Sequence, residues 1–167
     1  MNADDYKKTV PLPLRQSTLL FLVKEDSIVL AMKKRGFGAG RYNGVGGKLE
    51  AGETPEQAAV RECQEEIGVT PKDLTKVATL DFYFPLADKA KGWDQKTSVY
   101  TAEAWDGEPK ESEEMRPEWF PKGELPFINM WPDDPFWLPA VLSGKYVEAE
   151  FFFGEGDAVL EWKLAAR

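Results

Sequence analysis

Histidine is absent from the 167-residue sequence. Because histidine is the commonest general base and a common transition-metal ligand, its absence removes both roles from any chemistry that the chain performs. Catalysis must then rest on carboxylates, Lys, Tyr, Cys or a metal-bound water. A metal site must also be rich in oxygen, which favours Mg²⁺ or Mn²⁺ over Zn²⁺.

Cysteine and long apolar runs are also scarce. Cys63 is the only cysteine, so no disulfide can form within the chain, which is typical of a reducing compartment. No apolar run is long enough to span a membrane. The N-terminal residues are polar and include Asp4 and Asp5, unlike a signal or transit peptide. We therefore expect a cytoplasmic protein that has no membrane partner.

Positive charge is in the minority, with 21 Lys and Arg against 29 Asp and Glu and a net charge of −8. An acidic surface repels the phosphate backbone of long nucleic acids. It does not exclude a small nucleotide bound to Mg²⁺, because carboxylates hold the metal and the metal holds the phosphates. We expect a small-molecule partner and no long nucleic acid. A monomer is expected, since an aromatic content of 13% marks no oligomer interface.

Apolar runs that alternate with two helical segments predict an α/β fold. Thr54 and Gln57 form a capping-box pattern at the start of a helix over residues 54–67, and Gly68 follows its end. Asp134 before Pro135 predicts a second helix. We expect a mixed central sheet packed between these two main helices. The predicted strands cover residues 17–23, 28–32, 44–49, 77–84, 97–105, 115–120, 146–153 and 158–164.

The connections between these elements differ in character. A polar break over residues 24–27 predicts that the first two strands form a hairpin, and a second hairpin is expected at the C-terminal end. The connection over residues 85–96 is polar and expected to be exposed. Residues 1–15 contain Pro11 and Pro13 and are expected to be a flexible N-terminal arm. A single domain is expected over residues 16–167.

A cluster of carboxylates is predicted on the first helix. Glu62, Glu65 and Glu66 lie at i, i+3 and i+4 and therefore share one face. Three like charges repel each other, and a bound Mg²⁺ would relieve that repulsion and generate hydroxide from water. A solvated acidic helix face is the alternative, because charged helix faces are common.

The wider pattern resembles a known family. Gly47, then Glu53, then the run from Arg61 to Val69 with Glu62, Glu65 and Glu66, is similar to the box of the Nudix hydrolases, and every fixed position matches. The resemblance implies an α/β/α sandwich, Mg²⁺, and attack of water on a nucleoside diphosphate linked to another group. It also implies that Glu62, Glu65 and Glu66 are the metal ligands and base candidates, that Glu53 and Arg61 support them, and that Gly46 and Glu114 belong to the metal site.

Three further segments, residues 32–43, 114–120 and 130–134, resemble the MutT-like animal branch of this family, which hydrolyses oxidised purine nucleoside triphosphates. By that resemblance, one group of residues would hold the base, a second would line the pocket, and Lys33 would lie near its mouth. The first group is Asn43, Trp131, Asp133 and Asp134, and the second is Thr18, Phe37, Phe82, Phe84 and Met115.

The chemistry of these side chains suits a purine. Trp131 offers a flat face for stacking, and adjacent Asp133 and Asp134 in an apolar pocket should share one proton, so that one donates and the other accepts. Each of these residues also has a purely structural interpretation. Asp134 before Pro135 is also an ordinary helix N-cap, Asn43 before Gly44 is also a turn residue, and Trp131 is also a packing residue.

The expected reaction is hydrolysis of oxidised or modified purine (deoxy)nucleoside triphosphates to the monophosphate and pyrophosphate. One alternative is the same chemistry on a methylated nucleotide, a dinucleotide or a nucleotide sugar. A second alternative is a non-catalytic nucleotide-binding module, which the loss of a box glutamate would have favoured; none is lost.

Overall fold

A five-stranded mixed sheet lies at the centre of the computed structural model, which describes residues 1–167. Two of its strand pairs are parallel and two are antiparallel. With strands numbered in chain order, its spatial order is β1 (Arg15–Leu22), β6 (Gln95–Ala102), β5 (Thr75–Tyr83), β9 (Val147–Phe153) and β10 (Val159–Ala166).

Smaller sheets and three helices surround this centre. None of the helices is long and apolar enough to cross a bilayer. The three-stranded sheet has the order β3 (Tyr42–Asn43), β2 (Ser27–Lys33), β8 (Met115–Pro121), and a two-stranded sheet pairs β4 (Thr70–Lys72) with β7 (Ala104–Asp106). The helices are α1 (Ala3–Lys7), α2 (Pro55–Ile67) and α3 (Asp134–Leu142).

Strand β1 shows why the sheet is covered on both faces. Its side chains alternate between two apolar clusters, because successive residues of a strand point to opposite faces. Phe21 packs in the cluster that contains Trp137 of α3, whereas Leu20 packs in the cluster that contains Cys63 of α2. The predicted mixed sheet between two main helices is therefore confirmed. The short helix α1 was not predicted.

Helix α2 is positioned by the local signals that predicted it. The Thr54 hydroxyl accepts a hydrogen bond from the Gln57 N–H at 3.2 Å, and the Gln57 side chain accepts one from the Thr54 N–H at 2.9 Å. Gly68 ends the helix with a left-handed φ of 71°, which glycine adopts without steric cost. The helix bounds and caps are confirmed.

The predicted N-terminal hairpin is wrong. β1 pairs with β6, β2 pairs with β3 and β8, and only a single bridge between Val23 and Ile28 joins the two strands. The predicted strand over residues 44–49 is also wrong, since only isolated bridges form there. At Gly46 the backbone runs too close to β1 for a side chain, since a Cβ there would lie 1.9 Å from the Thr18 carbonyl oxygen.

The expectation of a flexible arm over residues 1–15 is wrong as well. Asn2 caps α1 by accepting a hydrogen bond from the Asp5 N–H at 2.8 Å. Tyr6, only 3% exposed, packs with Leu14, Tyr83 and Phe152 in a small apolar cluster. Pro11 and Pro13 predicted an irregular segment, and the sequence did not show that Tyr6 and Leu14 pack against the rest of the protein. The start of the domain at residue 16 stays a prediction.

Candidate active site

A single cleft collects every residue that the sequence proposed for substrate binding. Its cavity volume is about 180 Å³. The ends of β1, β2, β5, β6 and β8 border it, together with the segment that enters α3. The expected residues that line it are Thr18, Lys33, Asn43, Phe37, Phe82, Phe84, Met115, Trp131, Asp133 and Asp134.

Aromatic rings form the walls of this cleft. Phe84 stacks on Phe153 with ring centroids 4.5 Å apart and planes 2° from parallel. Phe37 meets Phe84 edge to face at 5.3 Å, and Trp131 meets Phe84 edge to face at 5.7 Å. Phe82 packs on Phe153 at 6.0 Å, so it serves the core and the cleft together. Such walls favour a flat aromatic ligand.

Part of the Trp131 surface is already covered by protein. The Arg41 guanidinium lies 4.3 Å from its ring centroid and donates to Asp157 at 2.8 Å. The Gly38 backbone also lies against the indole, because a Cβ there would come within 3.0 Å of Trp131. Arg41 lies in the segment over residues 32–43 that carries the family resemblance, but the sequence predicted no role for it.

Asp133 and Asp134 form a buried acidic pair at the floor of the cleft. Each is 2% exposed, and Asp133 accepts a hydrogen bond from the Trp137 indole N–H at 2.8 Å. Burial raises the pKa of Asp133 to about 6 and raises the pKa of Asp134 well above its ordinary value. Two adjacent buried carboxyls favour one shared proton, and besides burial the charge of Asp133 raises the pKa of Asp134.

The alternative role of this pair as a helix cap does not hold in the structure. Asp133 occupies the N-cap position of α3 and makes no side-chain capping hydrogen bond, while Asp134 is the first helical residue. One carboxyl oxygen of Asp134 is buried with no hydrogen-bond partner. Because an unpaired buried polar atom is costly, this oxygen marks a place where a ligand would supply a partner.

Asn43 keeps its turn contact and still reaches the cleft. Its side-chain oxygen accepts a hydrogen bond from the Gly44 N–H at 2.8 Å, as expected for a turn residue. The same side chain lines the cleft together with Lys33 and Asp133. The turn therefore fixes the orientation of the amide in the wall of the cleft.

Two glycines bring the box loop against the carboxylates of α2. The Gly46 N–H donates to Glu66 at 2.9 Å. A Cβ on Gly47 would lie 2.6 Å from a Glu62 carboxyl oxygen, so a side chain there would displace that carboxylate from its present position. The loop thus joins the cleft on one side to Glu62 and Glu66 on the other.

Arg61 organises the outer part of this site. It makes two hydrogen bonds to Glu53, at 2.7 and 3.0 Å, and one to Glu62 at 2.8 Å. It also donates to the Lys48 carbonyl at 3.2 Å. The hydrogen bonds from Arg61 hold the pKa of Glu53 below its ordinary value. The sequence placed both residues in a supporting role, and the contacts are consistent with that role.

The predicted metal-site residues fall into two groups. Glu66 is 5% exposed, and burial raises its pKa to about 8; burial also raises the pKa of Glu62. Glu65 has a side chain that is 58% exposed, and Glu114 is exposed and pairs with Arg35 at 3.5 Å. No three of the chain's carboxylates are gathered in coordinating positions. Glu62 and Glu66 are the more buried pair, while Glu65 and Glu114 are exposed beside them, since the charges of both also raise the pKa of Glu62.

The donor chemistry of Glu62 and Glu66 fits a divalent cation. Their negative charges oppose each other in a site that is largely removed from water. Buried carboxylates are stable when a metal or another cation balances them. Oxygen donors without histidine or accessible thiolate match Mg²⁺ rather than Zn²⁺.

The connection over residues 85–96 supplies cleft residues that the sequence did not predict. Trp93 stacks on Phe37 with centroids 4.0 Å apart and planes 13° from parallel, and both line the cleft. The expectation of a merely exposed connection is therefore wrong at Trp93, which is half-buried. A lone aromatic residue in this polar segment was a usable signal.

Comparison with known proteins agrees with this architecture. A model of the NUDIX domain matches residues 13–141. The chain therefore belongs to the NUDIX family, and the fold, the box on α2 and its relatives make it a Nudix hydrolase.

The relatives narrow the branch of the family. An oxidized purine nucleoside triphosphate hydrolase of Danio rerio is 44% identical over 88% of this chain and 92% of its own length. The protein of the same name from Mus musculus is 41% identical over 90% of this chain and 94% of its own length. The MutT structure from Bacillus halodurans has a TM-score of 0.77 and 27% identity, covering 90% of this chain and 97% of that one.

Proposed function

We propose that this hydrolase converts oxidised or modified purine (deoxy)nucleoside triphosphates to the monophosphate and pyrophosphate, and so removes mutagenic precursors from the nucleotide pool. The observation that carries the proposal is the buried Asp133–Asp134 pair at the floor of an aromatic cleft. The names and the coverage of the animal relatives support the same substrate class.

The acidic pair explains how one cleft would accept several modified purines. A pair that shares one proton presents one donor and one acceptor. Moving that proton between Asp133 and Asp134 exchanges the two roles without moving any heavy atom. Purines of the 8-oxo-dGTP type and the 2-hydroxy-dATP type present different donor and acceptor edges, so each would select its own protonation state.

At the phosphate end, Mg²⁺ is the proposed cofactor, and Mn²⁺ would replace it. When bound, the metal supplies charge neutralisation on the phosphates and an activated water. Glu62 and Glu66, joined by Glu65, Glu114 and the backbone of Gly46, are the proposed ligands. Arg61 holds the Glu62 carboxylate in place, and the Gly46 N–H does the same for Glu66.

Lys33 and the aromatic walls complete the proposed binding mode. Lys33 lines the cleft and lies close enough to Glu66 for its charge to offset part of the rise in the Glu66 pKa that burial causes, so it stands between the base end and the phosphate end. Phe37, Phe82, Phe84 and Trp131 would enclose the base, while Thr18, Asn43 and Met115 complete the lining. We further propose that the protein acts as a cytoplasmic monomer.

Steady-state hydrolysis in Mg²⁺ tests the substrate class. The panel is 8-oxo-dGTP, 2-hydroxy-dATP, methylated dGTP and unmodified dGTP, with products identified by chromatography. We expect a higher kcat/KM for the oxidised purines, and pyrophosphate as the second product. Glu66→Gln is the catalytic control and should be inactive on all four substrates.

Two other results would redirect the proposal. Hydrolysis without a preference for modified bases would retain the chemistry and contradict the substrate. If no member of the panel were hydrolysed, dinucleotides and nucleotide sugars would be tested next, and then binding without catalysis.

A further inference from the structure

The connection between β5 and β6 carries a tryptophan into the wall of the cleft. Trp93 stacks on Phe37, which in turn contacts Phe84 and Trp131 at the base end of the cleft. The Lys48 ammonium lies 4.5 Å from the Trp93 ring centroid. Because Lys48 directly follows the box residue Gly47, Trp93 lies between the aromatic wall and the phosphate end.

The backbone around Trp93 is fixed by side chains from outside the connection. The Lys91 carbonyl accepts hydrogen bonds from Lys48 at 2.6 Å and Arg15 at 3.3 Å. Gly92 has a left-handed φ of 64°, and a Cβ there would lie 2.6 Å from an Arg15 nitrogen. The Trp93 carbonyl accepts from the Gln95 amide at 3.0 Å. These contacts fix the backbone that carries the indole.

Helix α1 holds the connection from the other side. The Tyr6 hydroxyl donates to one carboxyl oxygen of Asp94 at 2.5 Å, and the other oxygen accepts the Phe84 N–H at 2.6 Å. The Lys89 ammonium contacts the Tyr6 hydroxyl and lies 3.9 Å from the Tyr6 ring centroid. Asp94 therefore ties α1, the end of β5 and the residue next to Trp93 to a single point.

We propose that Trp93 is a specificity-determining residue of the cleft and that Tyr6, acting through Asp94, is its positioning residue. The inference rests on the proposed function and adds to it a wall that is supplied by this connection. The Trp93 indole packs against Phe37 and keeps that ring in the wall of the cleft. The wall then holds a bound base against Asp133 and Asp134. A base that cannot tilt must match the hydrogen-bond donor and acceptor of Asp133 and Asp134 more closely than a base that is free to tilt.

The direct test replaces the indole. Trp93→Ala should raise KM for 8-oxo-dGTP about 5- to 30-fold while kcat changes less than about threefold, because a wall contact contributes to ground-state and transition-state binding alike. The kcat/KM preference for 8-oxo-dGTP over dGTP should fall about fivefold or more, as expected for the loss of one aromatic contact. Trp93→Phe should recover most of both quantities, since it keeps a flat ring on Phe37.

A matched control comes from a tryptophan that does not line the cleft. Trp119 also has a lysine over its ring, with Lys24 at 4.5 Å, and an aromatic neighbour, Trp105, at 6.0 Å. It does not line the cleft. Trp119→Ala should leave both KM and the preference unchanged, even if it lowers the melting temperature.

The positioning role is tested by removing the hydroxyl oxygen of Tyr6. Tyr6→Phe removes the hydrogen bond to Asp94 and should raise KM in the same direction as Trp93→Ala, by a smaller factor. Tyr146→Phe is the control, because the Tyr146 hydroxyl bonds to Thr79 at 2.9 Å and does not contact the connection. Combining Tyr6→Phe with Trp93→Ala should add nothing to the effect of Trp93→Ala.

The outcomes separate this inference from the proposed function. If the wild-type protein prefers oxidised purines and Trp93→Ala keeps its KM and preference, or lowers KM, the inference is overturned and the function stands. If the wild type shows no preference for oxidised purines, the proposed substrate class is wrong. The role of Trp93 then still requires that Trp93→Ala raise KM for the nucleotide that the wild type cleaves best. A uniform fall in kcat for all substrates would reduce Trp93 to a structural residue and overturn the inference. A wild type that cleaves nothing overturns both.

Discussion

At the scale of single residues, the acidic pair links protein stability to pH. Asp133 and Asp134 have folded-state pKa values above the ordinary value near 4. A carboxyl with a raised pKa binds its proton more tightly in the folded state, so its contribution to stability is fully present below pH 4 or so. That contribution is lost as the pH rises through the folded value, about 6 for Asp133.

Asp134→Asn should therefore become relatively more stable as the pH rises. The amide cannot ionise, so at pH 8 we expect a gain of about 1–3 kcal/mol in unfolding free energy over wild type, and little gain at pH 4.5. Thermal or urea unfolding across this pH range measures the difference. Asp26→Asn, at an exposed position, is the control and should run parallel to wild type. A gain that is equal at both pH values would contradict the raised pKa.

The same pair predicts a change in base selection. Asp133→Asn and Asp134→Asn each fix one carboxyl in a single hydrogen-bonding pattern, so each variant should lose affinity for some purines more than for others. The ratio of KM values for 8-oxo-dGTP and 2-hydroxy-dATP should shift in opposite directions by about tenfold, the cost of one mispaired hydrogen bond. If both variants kept wild-type affinity for every purine, proton sharing would be refuted.

Arg61 predicts how strongly the outer contacts support catalysis. Lysine cannot reproduce the paired hydrogen bonds to Glu53. Arg61→Lys should therefore lower kcat by about 10- to 100-fold and raise the Mg²⁺ concentration needed for half activity. Arg167→Lys changes an exposed ion pair with Glu148 and is the control. Unchanged Mg²⁺ dependence in Arg61→Lys would argue that Glu62 does not depend on this arginine.

At the scale of secondary-structure elements, helix α2 combines stability with function. Thr54→Ala removes the hydroxyl that accepts the Gln57 N–H and should cost about 1 kcal/mol of unfolding free energy. Because the cap lies at the opposite end of the helix from Glu66, kcat should stay close to wild type. Chemical unfolding and steady-state assays on the same preparation test both statements. A loss of activity larger than the loss of folded protein would disagree with them.

The elements also show what the sequence determines. Helix α2 was predictable because its cap, its apolar stripe and Gly68 are local signals. The partner of β1 was not, because β1 could pair with any strand, and the strand beside it lies about 80 residues later in the chain. α1 was missed for the same reason: the contact of Tyr6 with Asp94 spans 88 residues.

The candidate site followed a similar division. Residues inside the segments that carry the family resemblance, such as Asn43 and Asp133, were placed in the cleft because the spacing of those segments is preserved. Trp93 lies outside them, and only the tertiary structure brings it against Phe37. Glu65 and Glu114 were expected beside Glu62 from helical spacing and resemblance; both are exposed, and each lies near enough for its charge to raise the pKa of Glu62.

At the scale of the whole molecule, metal binding should change global stability. A cation that binds only the folded state stabilises it by mass action, by about 2–3 kcal/mol at 100 times its dissociation constant. Millimolar Mg²⁺ should therefore raise the melting temperature of wild type, and EDTA should reverse the rise. Glu66→Gln, which keeps an acceptor for the Gly46 N–H, should lose most of this shift. An equal shift in the variant would place the cation elsewhere.

The position of Cys63 has a consequence for the conditions under which the protein works. Its side chain is fully buried between α2 and the central sheet. Peroxides attack thiolates that solvent can reach, and the first product, a sulfenic acid, is the start of further damage. The only thiol of this chain is therefore shielded from the reactive oxygen species that damage guanine. Thiol oxidation would thus not inactivate the catalyst during the oxidative bursts that create the greatest demand for it.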